Sequence, residues 1–134
     1  MRAVATITQG FRTDIKTGTG HDLVADEPPE QGGGNAGTTA MGLLASALAA
    51  CTAATVRSYA NIKGYQVTRI EVDVDIARRT PAEQKEAGDN ARAVRASKKI
   101  TIEGDITDEQ RERMLQVALK CPVNRALTEG VDFL

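Results

Sequence analysis

The chain carries two side chains that can act as sulfur nucleophiles, Cys51 and Cys121. Cys51 closes an Ala- and Leu-rich helical run, and Cys121 ends a second helical stretch just before Pro122. Seventy positions separate the two thiols, so only tertiary structure can bring them together. No other obvious catalytic group accompanies them. A redox-active pair of thiols is therefore the first function that the sequence indicates.

A thiol pair of this kind can reduce a peroxide. A thiolate attacks the peroxide oxygen and becomes a sulfenic acid, which a second thiol converts to a disulfide before further oxidation. Cys51 lies about three turns inside its helix, where the helix dipole acts weakly, so an Arg or Lys from another segment must lower its pKa. The alternative is that both cysteines are small apolar core residues, as free cysteines often are.

Composition excludes several other classes of function. A length of 134 residues suits one domain with a single core, and we expect residues 1–134 to form it. The 17 Lys and Arg residues balance 18 Asp and Glu residues, so the chain has no basic field for nucleic acid. The single histidine, His21, and the two cysteines lack the close spacing of a zinc site. We predict no metal and no cofactor.

The sequence also predicts a cytoplasmic protein without a membrane segment. The run before Cys51 is mostly Ala, and we expect no run to approach the roughly 18 apolar residues of a membrane span. Residues 1–6 carry one charged side chain and no long apolar core, which argues against a signal peptide. Cytoplasmic thiols stay reduced at rest, so a reactive pair is favoured over a structural bridge.

The sequence of the first half of the chain predicts a small sheet followed by a long helix. Three short strands over residues 3–8, 11–16 and 21–26 are joined by turns that contain Gly, which is typical of a meander. Residues 27–37 form a loop rich in Pro and Gly, long enough to be functional. Thr38 or Thr39 can cap the helix that follows, which we expect to end near residue 61.

The second half predicts two strands and a helix. Apolar and charged residues alternate over 66–77 and 97–106, and we expect the charged segment between them to be a flexible hairpin loop. Residues 107–110 form a capping box that opens a helix. Pro122 either ends that helix or begins another, and residues 130–134 could add an edge strand.

The order of these features resembles the OsmC/Ohr family, the osmotically inducible and organic hydroperoxide resistance proteins. The resemblance covers nearly the whole chain, and its two cysteine motifs, in this order and helical context, are specific. The matching stretches are 26–28, 32–35, 43–52, 55–60, 63–64, 102–106, 108–111 and 120–123.

The resemblance implies an α+β fold, with a strongly curved antiparallel sheet packed on two central helices in an intertwined homodimer. It implies thiol-dependent reduction of organic hydroperoxides to alcohols, with a dithiol such as a lipoylated protein as reductant. Under it, Cys51 is the peroxidatic cysteine and Cys121 the resolving one. Arg12 is the nearest match to the arginine that activates the thiolate in the hydroperoxide-reducing members; the alternative is a solvated strand residue.

Two departures from the family pattern lead to a second hypothesis. The central helix begins with Ala40-Met41-Gly42, without the Pro and the Glu that the family usually has there. That Glu is thought to hold the activating arginine in place. The usual His after the second Cys-Pro-Val is Asn124. The alternative function is therefore a catalytically weak dimer of the same fold that binds a small molecule or senses redox state.

Overall fold

The computed structural model describes all residues, 1–134. These residues form two compact units. The first unit is Met1–Leu44 and the second is Ala45–Leu134. The long helix α1 (Ala40–Lys63) contributes residues to both units. The assignment of residues 1–134 to one domain stays a prediction.

The first unit contains a three-stranded antiparallel sheet. Its strands, in spatial order, are β1 (Ala3–Ile7), β2 (Thr13–Thr17) and β3 (Asp22–Ala25). The turn after β1 contains Gly10 with a φ of 61°, a left-handed conformation that glycine adopts without steric cost. The predicted meander is therefore confirmed. The loop after β3 returns to the sheet, where Thr38 forms a parallel bridge with Ala25.

The second unit is built on a long antiparallel ribbon of two strands. Strand β4 (Gln66–Arg78) pairs with β5 (Val94–Asp105) along their whole length, with one irregularity between Val67 and Arg69. The helices are α2 (Pro81–Ala87), α3 (Asp108–Ala118) and α4 (Pro122–Glu129). Helices and antiparallel sheets together confirm the predicted α+β class. Assembly into an intertwined homodimer stays a prediction.

The core of the second unit lies where α1 meets β5 and α3. The buried residues of α1 recur at every fourth position, so they form one stripe along the helix: Leu48, Thr52, Val56 and Ala60. Val56 and Ala60 pack in one apolar cluster with Ile102 of β5 and with Met114 and Ala118 of α3. Four of these five side chains have no exposed surface, which holds α1 firmly against the ribbon.

Both ends of α1 follow from local sequence. The backbone N–H of Gly42 donates to the Thr39 hydroxyl at 3.1 Å. Of the two predicted candidates, Thr39 is therefore the residue that caps the helix. The helix continues to Lys63, slightly past the predicted end. Gly64 follows with a φ of 70°, the left-handed residue that commonly ends a helix.

Helix α1 is long and apolar enough to cross a membrane by length and composition. Its most apolar window of 18 residues has a mean hydropathy of 1.4, and 17% of that window is buried. The expectation that no run approaches the length of a membrane span is therefore wrong, because alanine adds hydropathy at every position that it occupies. The stripe through Val56 packs into the core, which is also how the core helix of a soluble protein is built.

The predicted flexible loop between β4 and β5 contains the helix α2, so that prediction is wrong. Thr80 and Glu83 form a capping box, with Pro81 in the first turn, and these three residues are a helix start signal in the sequence. The surrounding charged residues obscured it. Glu83 also pairs with Arg95 of β5 at 3.3 Å, which ties α2 to the ribbon.

The predicted edge strand over residues 130–134 is also wrong. These residues form no strand, and the side chains of Val131, Phe133 and Leu134 are exposed. The alternation of apolar residues in so short a segment does not produce a strand without a neighbouring strand that accepts its hydrogen bonds. Helix α4 ends just before this segment, at Glu129, with Gly130 as its C-cap.

Candidate thiol site

Cys121 begins a helix rather than ending one. Helix α3 stops at Ala118, and Cys121 is the N-cap of α4, with Pro122 as the first helical residue. The prediction that Cys121 ends the second helical stretch is therefore wrong, and of the two alternatives for Pro122 the structure selects the helix start. Proline suits this position because the first helical N–H has no partner within the helix.

The sulfur of Cys121 is surrounded by hydrogen-bond donors from separate parts of the chain. The backbone N–H of Asn124, in the first turn of α4, donates to the sulfur at 3.3 Å. The hydroxyl of Thr52, in the middle of α1, donates to it at 3.5 Å. The side chain of Cys51 is also hydrogen-bonded to it. Cys121 has no exposed surface, so these groups surround a sulfur that lies inside the protein.

A lysine of the ribbon completes the surroundings of this sulfur. The ammonium of Lys98 in β5 donates to the side-chain oxygen of Asn124 at 2.8 Å. The amide nitrogen of Asn124 donates in turn to the carbonyl of Leu119 at 3.1 Å, which fixes the orientation of the amide. Asn124 stands where the family resemblance expects histidine. It connects a positive charge on β5 to the turn that carries Cys121.

The balance of these interactions favours the ionised form of Cys121. Burial raises the pKa of this thiol, but the hydrogen bonds from Thr52, Asn124 and Cys51 lower it, and so does the charge of Lys98. The net result is a pKa below the ordinary value for cysteine. Since the thiolate is the reactive form of a thiol, these surroundings favour the nucleophilic form of Cys121.

Cys51 differs from Cys121 mainly in its accessibility. It lies in the middle of α1, where its side chain is half-buried, whereas Cys121 is fully buried. Thr55, one turn later, donates to the Cys51 carbonyl at 2.8 Å, which is a bond within the helix. The two thiols that the sequence separates by seventy positions are therefore in contact in the fold, and both are free.

The third predicted site residue, Arg12, lies in the turn between β1 and β2. Its guanidinium pairs with the carboxylate of Asp14 at 3.1 Å, and both side chains are more than half exposed. The charge of Arg12 also acts on the buried carboxylate of Asp26. Activation of Cys51 by Arg12 stays a prediction.

The loop after β3 is organised around Asp26, whose role the sequence did not reveal. This side chain is 4% exposed, and its carboxylate accepts backbone N–H groups of Glu27, Gly34 and Ala36 at 2.8, 3.2 and 3.0 Å. The bond from Ala36 is the largest cause of a lowered pKa for Asp26. A buried acid that accepts three backbone donors holds a loop in one conformation. The family motif includes Asp26, but the identity of one residue does not indicate which backbone N–H groups it will accept in the fold.

No group of three His, Cys, Asp or Glu side chains lies close enough together to hold a metal ion. The reactive groups of this site are two neighbouring thiols. One of them is accessible, and the other is buried among hydrogen-bond donors.

Comparison with known proteins agrees with this architecture. The family model for OsmC-like proteins matches residues 32–133. The structure is similar to that of an organic hydroperoxide resistance protein, OsmC, from Legionella pneumophila, with a TM-score of 0.68 and 21% identity over 98% of this chain and 93% of that chain. No curated protein matches the chain.

Two further solved structures share the fold. An OsmC-like protein from Mycoplasma pneumoniae has a TM-score of 0.76 and 18% identity, over 95% of this chain and 86% of that chain. An organic hydroperoxide resistance protein from Elizabethkingia anophelis has a TM-score of 0.63 and 18% identity, over 92% and 84% of the two chains. At these identities the likeness shows the fold, whereas activity has to be argued from the site.

Proposed function

Since the chain belongs to the family of OsmC-like proteins, we propose that it is a thiol-dependent peroxidase that reduces organic hydroperoxides to alcohols. The observation that carries this proposal is the contact between Cys51 and Cys121, in surroundings that lower the pKa of Cys121. The substrate class is supported by the organic hydroperoxide resistance proteins of Legionella pneumophila and Elizabethkingia anophelis, which share the fold.

The proposed reaction begins at Cys51, because the buried Cys121 is not accessible to a substrate. The Cys51 thiolate attacks one oxygen of the hydroperoxide, the O–O bond breaks, and the alcohol leaves after it takes up a proton. Cys51 is then a sulfenic acid. The Cys121 thiolate attacks that sulfur, a disulfide forms, and hydroxide leaves as water after protonation. A dithiol such as a lipoylated protein returns two electrons and restores both thiols.

We assign the activation of Cys51 to Arg12. The support is the resemblance to hydroperoxide-reducing members, in which an arginine of the first hairpin has this role. The ion pair of Arg12 with Asp14 is solvent-exposed, and such pairs stabilise a side-chain position weakly. Arg12 can therefore leave Asp14 for a thiolate at little cost.

We also propose a homodimer in the cytoplasm. Helix α1 is apolar, yet only 17% of its most apolar window is buried within one chain. A second copy of the chain would cover such a surface, as the family resemblance implies. A cytoplasmic location suits two thiols that must be reduced between turnovers. If the dimer is obligate, the melting temperature rises with protein concentration, and a melting temperature that does not change on dilution contradicts it.

The peroxidase proposal is tested with purified protein, cumene hydroperoxide and a dithiol reductant. We expect the Cys51→Ser variant to lose hydroperoxide consumption, because the accessible sulfur is gone. Without the dithiol, the Cys121→Ser variant should consume about one equivalent and then stop at a Cys51 sulfenic acid. Unchanged turnover in Cys51→Ser contradicts the proposal.

The role of Arg12 is tested by comparing Arg12→Gln with Arg2→Gln, which removes an arginine outside the assigned site. We expect Arg12→Gln to slow the reaction with hydroperoxide by at least about ten-fold, as expected when an activating charge is lost. Arg2→Gln should react like the wild type. Equal rates for the two variants contradict the assignment of Arg12.

One observation favours the alternative function, a catalytically weak dimer that binds a small molecule or senses redox state. The first turn of α1 contains no acidic residue, so the usual partner of an activating arginine is absent there. Alkylation of Cys51 as a function of pH, in the Cys121→Ser variant, separates the two functions. A Cys51 that reacts only near the ordinary thiol pKa of about 8.5, with no turnover, supports the alternative.

A further inference from the structure

We infer that the reductant attacks the oxidised protein at Cys51, and that Cys121 is the leaving thiolate, stabilised by hydrogen bonds from Thr52 and the first turn of α4 and by the nearby charge of Lys98. This inference rests on the proposed function, because it concerns how the Cys51–Cys121 disulfide is reduced. It gives Lys98 a positioning role that the sequence did not indicate.

Accessibility selects the sulfur that is attacked. An external thiolate has to approach a disulfide sulfur along the line of the S–S bond. Cys51 is half-buried and Cys121 has no exposed surface, and Thr52 covers the Cys121 sulfur from the side of α1. Of the two cysteines, Cys51 is therefore the one that offers exposed surface to a dithiol, while Cys121 lies inside the protein.

The surroundings of Cys121 suit a leaving group. When the S–S bond breaks, negative charge develops on the sulfur that leaves, and a sulfur whose thiolate is stabilised leaves faster. The backbone N–H of Asn124 and the hydroxyl of Thr52 already point at that sulfur, at 3.3 and 3.5 Å. The N-terminus of α4 adds the positive end of the helix dipole. These groups therefore stabilise the thiolate that Cys121 becomes.

Lys98 supplies the only full positive charge among these groups. Side chains alternate along β5, so Lys98 is directed to the same side of the ribbon as the core residues Ile100 and Ile102, while its neighbour Lys99 is exposed on the other side. The ammonium of Lys98 is hydrogen-bonded to the neutral amide of Asn124 rather than to a carboxylate. Its charge therefore remains available to the developing thiolate.

The reduction balances in two exchange steps. The first thiolate of the dithiol attacks the Cys51 sulfur, the Cys51–Cys121 bond breaks, and Cys121 takes the electron pair as a thiolate. The second thiol of the reductant loses its proton and attacks the reductant sulfur of the mixed disulfide. The reductant is then an oxidised disulfide, and Cys51 leaves as a thiolate that takes up a proton. Two electrons have moved from the reductant to the protein.

The inference is tested on full-length protein that diamide has oxidised to the disulfide, since diamide requires no peroxidase activity. Reduction by dithiothreitol is followed in a stopped-flow instrument for the wild type, Lys98→Gln, Lys98→Arg and the matched control Lys99→Gln. We expect Lys98→Gln to slow reduction by about three-fold or more, because its leaving thiolate is less stable. Lys98→Arg should restore most of the rate and Lys99→Gln should leave it unchanged. Equal rates for Lys98→Gln and Lys99→Gln overturn the role of Lys98.

The attacked sulfur is identified with a monothiol, 2-mercaptoethanol, which has no second thiol in the same molecule to carry out the second step. The oxidised wild-type protein is mixed with it, quenched in acid, and the adduct is mapped by mass spectrometry. An adduct on Cys51 supports the inference, and an adduct on Cys121 overturns it. Failure of diamide to form the disulfide also overturns it. A protein that passes these tests but does not consume hydroperoxide contradicts the proposed function alone.

Discussion

The hydroxyl of Thr52 lies 3.5 Å from the sulfur of Cys121 and connects the middle of α1 to the first turn of α4. Thr52 belongs to the buried stripe of α1, and Cys51 precedes it in the sequence. Helix α1 therefore carries both the half-buried thiol of Cys51 and the Thr52 hydroxyl that donates to Cys121. This arrangement gives the two cysteines different chemical surroundings although they are in contact.

Replacement of Thr52 by Val should raise the pKa of Cys121. The two side chains have nearly the same shape, so the change removes the hydroxyl donor while the core stays filled. The thiolate of Cys121 then loses one of the hydrogen bonds that favour it. The measurement is the ultraviolet absorbance of the thiolate against pH, in a Cys51→Ser background where Cys121 is the only thiol. Thr55→Val is the control, because the Thr55 hydroxyl bonds to a backbone carbonyl. Identical titration curves for the two variants contradict the prediction.

Loss of the Asp26 charge should weaken the loop after β3 and remove part of the acid sensitivity of the protein. The folded pKa of Asp26 lies below its unfolded value, first because of the hydrogen bond from Ala36. Asp26 therefore contributes stability above its unfolded pKa, and this contribution is lost as the pH falls through the folded pKa.

The Asp26→Asn variant should melt at a lower temperature than the wild type at neutral pH, and the difference should shrink in acid. Melting temperatures measured across this range by circular dichroism check the prediction. Asp22→Asn is the control, because its carboxylate pairs with Lys16 on the exposed surface. A difference that stays constant at every pH would mean that the charge of Asp26 is not responsible.

Replacement of Met114 by Ala should lower the free energy of unfolding more than replacement of Met41 by Ala. Met114 has no exposed surface and packs against α1 in the core cluster, whereas Met41 is 46% exposed. Met114→Ala leaves a cavity, which should lower the free energy of unfolding by about 2–5 kcal/mol. Urea denaturation followed by circular dichroism measures this change. Met41→Ala should have an effect below about 1 kcal/mol. A similar loss in both variants would contradict the assigned core.

A side chain at position 33 should disrupt the loop around Asp26. A Cβ atom on Gly33 would collide with the carbonyl oxygen of Glu27, so the backbone has to move. Gly33→Ala should lower the free energy of unfolding by roughly 1–3 kcal/mol. Gly18→Ala is the matched control, since its Cβ would lie 3.4 Å from the nearest atom, the Arg2 carbonyl oxygen. Thermal denaturation of the two variants tests this, and equal melting temperatures would show that the loop adapts freely.

Local signals in the sequence predicted most of the secondary structure. Alternation of apolar and charged residues predicted β4 and β5, and the capping residues Thr39 and Thr107 predicted the starts of α1 and α3. Such signals succeed because a cap or an alternating strand depends on residues close in sequence. The capping box of α2 was a signal of the same kind, obscured by charged neighbours. The tail shows the limit, because a strand also requires a partner strand.

The sequence by itself determined which residues are the thiols, that Cys51 lies within a long helix, and that no basic field accompanies them. Only the tertiary structure decided that the two thiols meet and that Cys121 is the one surrounded by donors, because Thr52 and Lys98 come from α1 and β5. Hydrogen bonds and charges act over a few ångströms of space, whatever the number of residues between the groups. The pKa of a buried thiol therefore depends on neighbours that no local pattern identifies.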